Sequence, residues 1–284
     1  MQPEYIQSIR SFYDETLWIV STFWTNQKAL ATHVGYWETG TRNDHDAQAH
    51  MNRILAQRAA IQPSEQVLDA GCGMGGSSLW LAQNCGAHVF GITVSPSQAA
   101  FAMRAARRTD ISNRVSFSLQ NYTATTFPDS TFDVVWAIES VCYAPAKSAF
   151  FKEAFRVLRP GGRLIVADGF RSSRLNHDAD ERLLRHWLDG WALQDVDTPE
   201  EFVASARAAG FSDVHFTDES VPVRPSIDRL HLHSHWSAPI CSLLSHIGLL
   251  SPIVTRAMWA NEDFYEITRR GLTNYGILSA VKPR

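Results

Sequence analysis

Several common signatures are missing from this chain. It has only four cysteines, Cys72, Cys85, Cys142 and Cys241, and no two form a C-x-x-C pair. No zinc site and no disulfide framework are therefore expected, and reduced thiols point to a cytoplasmic protein. The formal net charge is only −3, so no basic field exists to hold nucleic acid by charge. No uninterrupted apolar run reaches the roughly 18 residues of a membrane span. The opening MQPEYIQSIR lacks the basic-then-apolar pattern of a secretory leader, and none is expected. There is no internal repeat and no low-complexity tract, and the pattern carries no signature of oligomeric state.

What remains is an ordinary globular composition, 45% hydrophobic and 19% charged over 284 residues. The pattern predicts a helical N-terminal cap over residues 1–60, with Leu17, Val20, Phe23 and Trp24 at helical spacing and a second helix from about Ala47 to Ala60. Between them lies the aromatic loop HVGYWETG. From Gln66 onward strands and helices alternate. QVLDA, HVFGITVS, RVSFSLQ, FDVVWAI and GRLIVAD read as five strands. The helices between them include SPSQAAFAMRAARR, with Ser95 or Ser97 as its cap, and AKSAFFKEAFRVL, stopped by Arg159-Pro160-Gly161-Gly162. VHFTDES and YGILSAVKP read as strands six and seven. This alternation implies an α/β domain over 61–284 with a Rossmann-like, seven-stranded, mostly parallel sheet. The last strand is antiparallel, and helical lid insertions fall at about 171–197 and 222–271.

The chemistry starts at Asp69-Ala70-Gly71-Cys72-Gly73-Met74-Gly75-Gly76, a glycine turn between the first strand and the next helix. Glycines there let backbone approach a ligand and present amides at the helix start. Gly71, Gly73 and Gly76 also fit G-x-G-x-x-G, so a nicotinamide-dependent oxidoreductase is one reading. A dinucleotide site needs a carboxylate near the end of the second strand, but that strand ends Gly91-Ile92-Thr93-Val94-Ser95 without one. An aspartate beside the turn suits a ligand carrying an amine and a sulfonium better than it suits a pyrophosphate.

VLDAGCGMGGSS resembles the first motif of class I S-adenosylmethionine-dependent methyltransferases. GITVSPSQ resembles the second motif of the sterol, tocopherol and prenyl-diphosphate C-methyltransferases and the cyclopropane synthases. FPDSTFDVVWAIESVCYAP, EAFRVLRPGGRLIVAD, the ending YGILSAVKP and the loop HVGYW are similar to the corresponding segments of that subgroup, so the resemblance spans nearly the whole chain. It implies S-adenosyl-L-methionine as cofactor, bound by Asp69, Gly71, Cys72 and Gly73, with Thr93, Val94 and Gln98 around the ribose. Asn121 would accept from the adenine amine, Tyr122 would pack on the ring, and Tyr36 and Trp37 would fold over the sulfonium.

Glu139 follows the fourth strand and should face the cofactor crevice, as both a cofactor contact and a catalytic acid or base. Tyr143, where related sterol enzymes carry His, and His33 are further catalytic candidates. The insertions hold Trp187, Trp191, Trp236, Trp259, Phe264 and Tyr265. That density predicts a lid over a small hydrophobic acceptor, such as an isoprenoid or a prenylated or aromatic secondary metabolite. C-methylation is expected first, N- or O-methylation second, and a non-catalytic cofactor-binding protein is a distant alternative. Magnesium would come only with a prenyl diphosphate acceptor, held mainly by phosphate oxygens. His231, His233 and His235 would share one face of a strand, but the segment HLHSHW reads as helix or loop and holds no acid, so no metal is assigned. The stretch from Leu230 to Thr255 has no Asp, Glu, Lys or Arg, which leaves room for transient contact with a membrane surface.

Overall fold

The computed structural model describes residues 3–19, 30–173 and 177–284. A helix α1 (Pro3–Ile19) leads through the loop around residues 30–43 into α2 (Asp44–Arg58). The α2 start is capped by the Asn43 side chain, which accepts from the Asp46 amide. Leu17 lies within α1, whereas Val20, Phe23 and Trp24 lie outside the described residues.

Seven strands then form one sheet: β1 (Gln66–Ala70), β2 (His88–Thr93), β3 (Val115–Leu119), β4 (Phe132–Ile138), β5 (Leu158–Arg171), β6 (Ser212–Asp218) and β7 (Thr273–Val281). Their order is β3-β2-β1-β4-β5-β7-β6. The first five are mutually parallel, and β7 runs antiparallel to both β5 and β6. The helices α3 (Gly76–Asn84), α4 (Pro96–Ala106), α5 (Lys147–Val157) and α7 (Pro199–Ala208) serve as crossovers. Ser95 rather than Ser97 caps α4, accepting from the Gln98 amide. Thr198 and Glu201 form a reciprocal capping box on α7.

β4 is buried from Val134 to Ile138, as an apolar strand covered on both faces should be. Strand order reverses between β1 and β4, and a crevice opens at the carboxyl ends of strands arranged in this way.

Two boundaries differ from the sequence expectation. The helix expected to stop before Arg159-Pro160-Gly161-Gly162 does so, at Val157, but those four residues lie inside a 14-residue β5 that starts at Leu158 and is longer than the expected GRLIVAD. Leu158 already pairs with Phe132, so sheet pairing takes over from the helix before the proline is reached. The segment VHFTDES does not stay extended to its end. The Asp218 carboxylate accepts the Ser220 amide at 2.8 Å, and the chain turns into helix there.

The insertions supply α6 (Asp178–Gly190), α8 (Ser220–His246) and α9 (Pro252–Arg269). α8 runs through Pro225 and Pro239 over 27 residues. Among the described residues, no helix is long and apolar enough to cross a membrane.

Candidate active site

The glycine turn is shaped by two different constraints. At Gly71, φ is +99° and a Cβ would lie 2.3 Å from the Ser140 Cβ, so glycine is required by packing against the end of β4. At Gly73, φ is +52°, yet a Cβ would meet only Gln98 Nε2, at 4.0 Å. The backbone at Gly73 therefore faces open space that any side chain would fill. Thr93 and Gln98 lie together beyond it, with the Thr93 hydroxyl donating to Gln98 Oε1 at 2.8 Å. The Cys72 side chain is buried beneath the turn. α1 closes over this edge. Arg10 Nε donates to the Val94 carbonyl at 2.8 Å, and Asp14 accepts from both Ser95 and Ser97.

Glu139 sits one residue past β4 with φ of +47°, a left-handed conformation that costs a non-glycine residue about 1–3 kcal/mol and clusters at functional sites. The bend is fixed by its own amide, which donates to the Ala167 carbonyl at 2.8 Å. Its Oε1 accepts from the Val34 amide at 2.9 Å and from the Tyr275 hydroxyl at 3.0 Å. Burial raises the Glu139 carboxyl to about 8; the nearby Asp168 carboxylate pushes the same way and the two donated hydrogen bonds oppose it.

Asp168, near the end of β5, is a second buried carboxylate. It accepts from the Cys142 and Gly169 amides, both at 2.9 Å. Burial raises it as well, against those hydrogen bonds. The turn Val141–Tyr143 between them is clamped by the buried Lys147 ammonium, which donates to the carbonyls of Cys142, Ala144 and Asp195.

Glu139 and Asp168 line a cavity of about 520 Å³. Its floor includes Gln98, Val34, Tyr143 and Tyr275, one wall is α1 through Tyr13, Thr16 and Leu17, and its roof is α6, α8 and α9. Trp187 stacks on Phe264 at 5.2 Å, and Trp191 packs on the same ring at 4.9 Å. Trp191 Nε1 donates to Asn261 Oδ1 at 3.0 Å, and Asn261 Nδ2 donates to Ser234 Oγ at 2.8 Å. This chain ties α6, α9 and α8 together. Among the described lining residues there is no Lys and no Arg.

The structure brings together only part of the expected set. Glu139, Tyr143 and Gln98 share the cavity, and Thr93 bonds to Gln98 at its edge. Tyr143 faces Tyr13 at 5.6 Å between ring centres, and burial pushes its hydroxyl well up. His33 is buried outside the cavity. Its Nδ1 lies 2.8 Å from the Val34 carbonyl, and burial lowers it to about 4.

Tyr36 and Trp37 are not among the described residues that line the cavity. The Tyr36 hydroxyl donates to Glu219, and Trp37 Nε1 donates to Ser226 Oγ at 2.8 Å, docking the loop on α8. Asp69 lies beneath the turn, accepts from Ser78 at 2.5 Å and is raised by burial to about 7. Both lone pairs of the Asn121 carbonyl are taken by Thr123, through its amide and its hydroxyl. Tyr122 is in the core, donating to the Ser140 carbonyl at 2.7 Å. In the insertions, Trp236 and Trp259 are exposed on the outer side of the lid rather than over the cavity.

Asp168 and Tyr275 were not anticipated. The former had a signal, an acid closing the apolar run GRLIVAD at the same end of the sheet as Glu139. The latter had none, because its role depends on β7 inserting between β5 and β6.

A family model described as a methyltransferase domain matches residues 68–166. Over 98% of its length the chain is 31% identical to a protein named probable tocopherol O-methyltransferase, chloroplastic, from Oryza sativa subsp. japonica, covering 78% of it. It is 38% identical over 58% of its length to the 2-methyl-6-phytyl-1,4-hydroquinone methyltransferase of Synechocystis sp., of which 53% is covered. The fold superposes on the geranyl diphosphate C-methyltransferase of Streptomyces coelicolor A3(2), solved with Mg2+, geranyl diphosphate and S-adenosyl-L-homocysteine. The TM-score is 0.75, with 19% identity and coverage of 99% and 98% of the two chains.

Proposed function

Because the chain belongs to the S-adenosylmethionine-dependent methyltransferase family, we propose that it methylates a small, uncharged, hydrophobic acceptor held in the cavity beneath the α6–α8–α9 lid. The observation that carries this reading is the buried carboxylate of Glu139, between the glycine turn and an aromatic-roofed cavity of about 520 Å³.

The open space beside Gly73 is the feature that fits the cofactor, since no described side chain fills it. We assign Gly71, Cys72 and Gly73 to its approach and Thr93, Val94 and Gln98 to its ribose side. Asp69 shapes the turn from below, and Asn121, Tyr122, Tyr36 and Trp37 support the walls rather than touch the ligand. When bound, the cofactor supplies an electrophilic methyl on a cationic sulfur. The protein's share is alignment, exclusion of water and charge. Trp187, Trp191 and Phe264 exclude water and hold an apolar acceptor. Glu139 stabilises positive charge that develops on the acceptor carbon and then takes its proton at Oε2, the oxygen not used by Val34 and Tyr275. Asp168 adds a second negative charge nearby.

Carbon is the proposed methyl-accepting atom because the motif set resembles that of C-methyltransferases and a carboxylate suits a carbocation. The same carboxylate could deprotonate a hydroxyl or amine, which is the second reading. No described Lys or Arg lines the cavity to pair with a bare diphosphate, and a magnesium–diphosphate would claim Glu139 or Asp168 as a ligand, so an uncharged acceptor is the first choice.

We place the cap boundary near residue 60. The row Leu232, Trp236, Ile240, Leu243 and Ile247, exposed along α8, supports contact with a membrane surface as the acceptor's route in, since Ile240 also lines the cavity. Co-sedimentation with phosphatidylcholine vesicles should fall on Trp236→Ser, and an unchanged bound fraction would remove that route.

The central test is an acceptor screen with methyl-labelled cofactor, followed by product NMR. The expected result is label on carbon of a neutral apolar compound. Label on oxygen or nitrogen would select the second reading, and preferential turnover of diphosphates would overturn the acceptor class.

A further inference from the structure

On the lid, away from the cavity, the fold assembles a group of ligating side chains that the sequence alone kept apart. His231 and His235 stand one helical turn apart on α8, and such i, i+4 side chains share a face. Glu262, on α9, lies opposite them. Its Oε1 is 3.0 Å from His231 Nδ1, and its Oε2 is 3.5 Å from His235 Nδ1. The three candidate ligand atoms all lie within 4.8 Å of one another. Ligands about 2.1 Å from a tetrahedral zinc ion are roughly 3.4 Å apart, so small side-chain rotations would close the set around an ion.

One ligand is already oriented. The His231 ring stacks face to face on Tyr265, at 3.9 Å and 9°, and the Arg224 guanidinium lies 5.3 Å from the centre of that tyrosine ring. The group is also accessible from outside. The His235 side chain is 60% exposed, His231 29% and Glu262 20%, so water could complete the coordination sphere.

We propose that His231, His235 and Glu262 bind a divalent transition-metal ion of the zinc type, clipping α8 to α9. Two imidazoles and one carboxylate form an N2O donor set that suits Zn2+, Co2+ or Ni2+ and not the all-oxygen preference of Mg2+ or Ca2+. His233, between them in sequence, points to the cavity instead. The site is structural: it fixes the two helices whose other faces, through Ser234 and Asn261, roof the acceptor. It does not depend on which acceptor is methylated. The alternative for the same three residues is a histidine–carboxylate ion pair that binds no metal.

The experiment uses the full-length protein, stripped with chelator and titrated with Co2+ and with Zn2+. Cobalt should give a saturable visible absorption band at one equivalent with a micromolar Kd, and zinc should abolish it by competition. Zinc in large excess over Kd should raise the melting temperature by roughly 5 °C or more. His235→Ala, at the most exposed ligand, and Glu262→Gln should each weaken cobalt binding at least tenfold and remove the zinc-dependent rise, while His233→Ala keeps both. Magnesium should produce neither signal. Absence of a saturable cobalt band, or a band of equal affinity in the His235→Ala and Glu262→Gln proteins, would overturn the proposal.

Discussion

The backbone amide of Val34 donates to Glu139 Oε1 at 2.9 Å, so the carboxylate at the end of β4 and the loop that precedes the α/β domain are held by one hydrogen bond. Tyr275 donates to the same oxygen, and the Glu139 side chain lines the cavity. Replacing the carboxylate by an amide keeps its shape and removes its charge. Glu139→Gln should lower kcat by roughly 10²-fold or more, the scale of a lost general base or electrostatic stabiliser. S-adenosylmethionine affinity, measured by calorimetry, should change far less. Normal turnover with weakened cofactor binding would reassign Glu139 to cofactor support.

The pH dependence follows from the same group. A base must be ionised to act, and burial holds Glu139 protonated up to about 8. The kcat/KM profile reports the free enzyme, so it should climb about tenfold per pH unit below 8 and level off above it. Stability should move the opposite way. A carboxyl raised in the folded state contributes its full stabilisation below its ordinary value of 4.5, and that contribution is lost as pH rises toward 8. The Glu139→Gln protein should lack this component of the decline in melting temperature over that window. A profile centred near 4.5 would show that the carboxylate is solvated in the working enzyme.

Gly73→Val separates ligand approach from folding. The new side chain enters open space rather than protein, although φ of +52° adds strain of about 1–3 kcal/mol. The variant should fold with a lowered melting temperature and show no calorimetric isotherm with S-adenosylmethionine. Near-normal affinity would place the cofactor elsewhere. Gly71→Val, by contrast, collides with Ser140 and should fail to fold.

Residues 1–50 should become resistant to limited proteolysis when S-adenosylhomocysteine binds. The motive is that α1 already grips the end of β2 through Arg10 and Asp14, and Thr32 and Val34 line the cavity. Cleavage rates that are the same with and without ligand would mean that the cap does not respond to the cofactor.

The alternating strand–helix rhythm from Gln66 onward carried the sheet, because parallel strands buried on both faces announce themselves as short apolar runs. β1 and β4 match the expected segments residue for residue. Glu139 was legible because it ends such a run. The hydrogen bonds of Tyr36 and Trp37 were not legible, because an aromatic pair in a loop does not announce its partners, here Glu219 and Ser226 nearly two hundred residues downstream. Asn121 shows a local competitor winning, since an Asn two residues before a Thr satisfies itself in a turn. The histidines of α8 were read without an acid because Glu262 reaches them only through the packing of α9.

Glu139 takes its two fixed partners from opposite ends of the polypeptide, Val34 before the sheet begins and Tyr275 on its last strand. The glycine turn also leans on chain beyond its own segment, since Gly71 packs against Ser140 and the Ser140 hydroxyl donates to the Ala70 carbonyl at 2.6 Å. During synthesis the turn therefore waits for β4, and the Glu139 carboxylate waits for β7 as well. Seating of Glu139 is thus the later event in chain order, and it depends on an interior strand supplied by the last residues of the sheet.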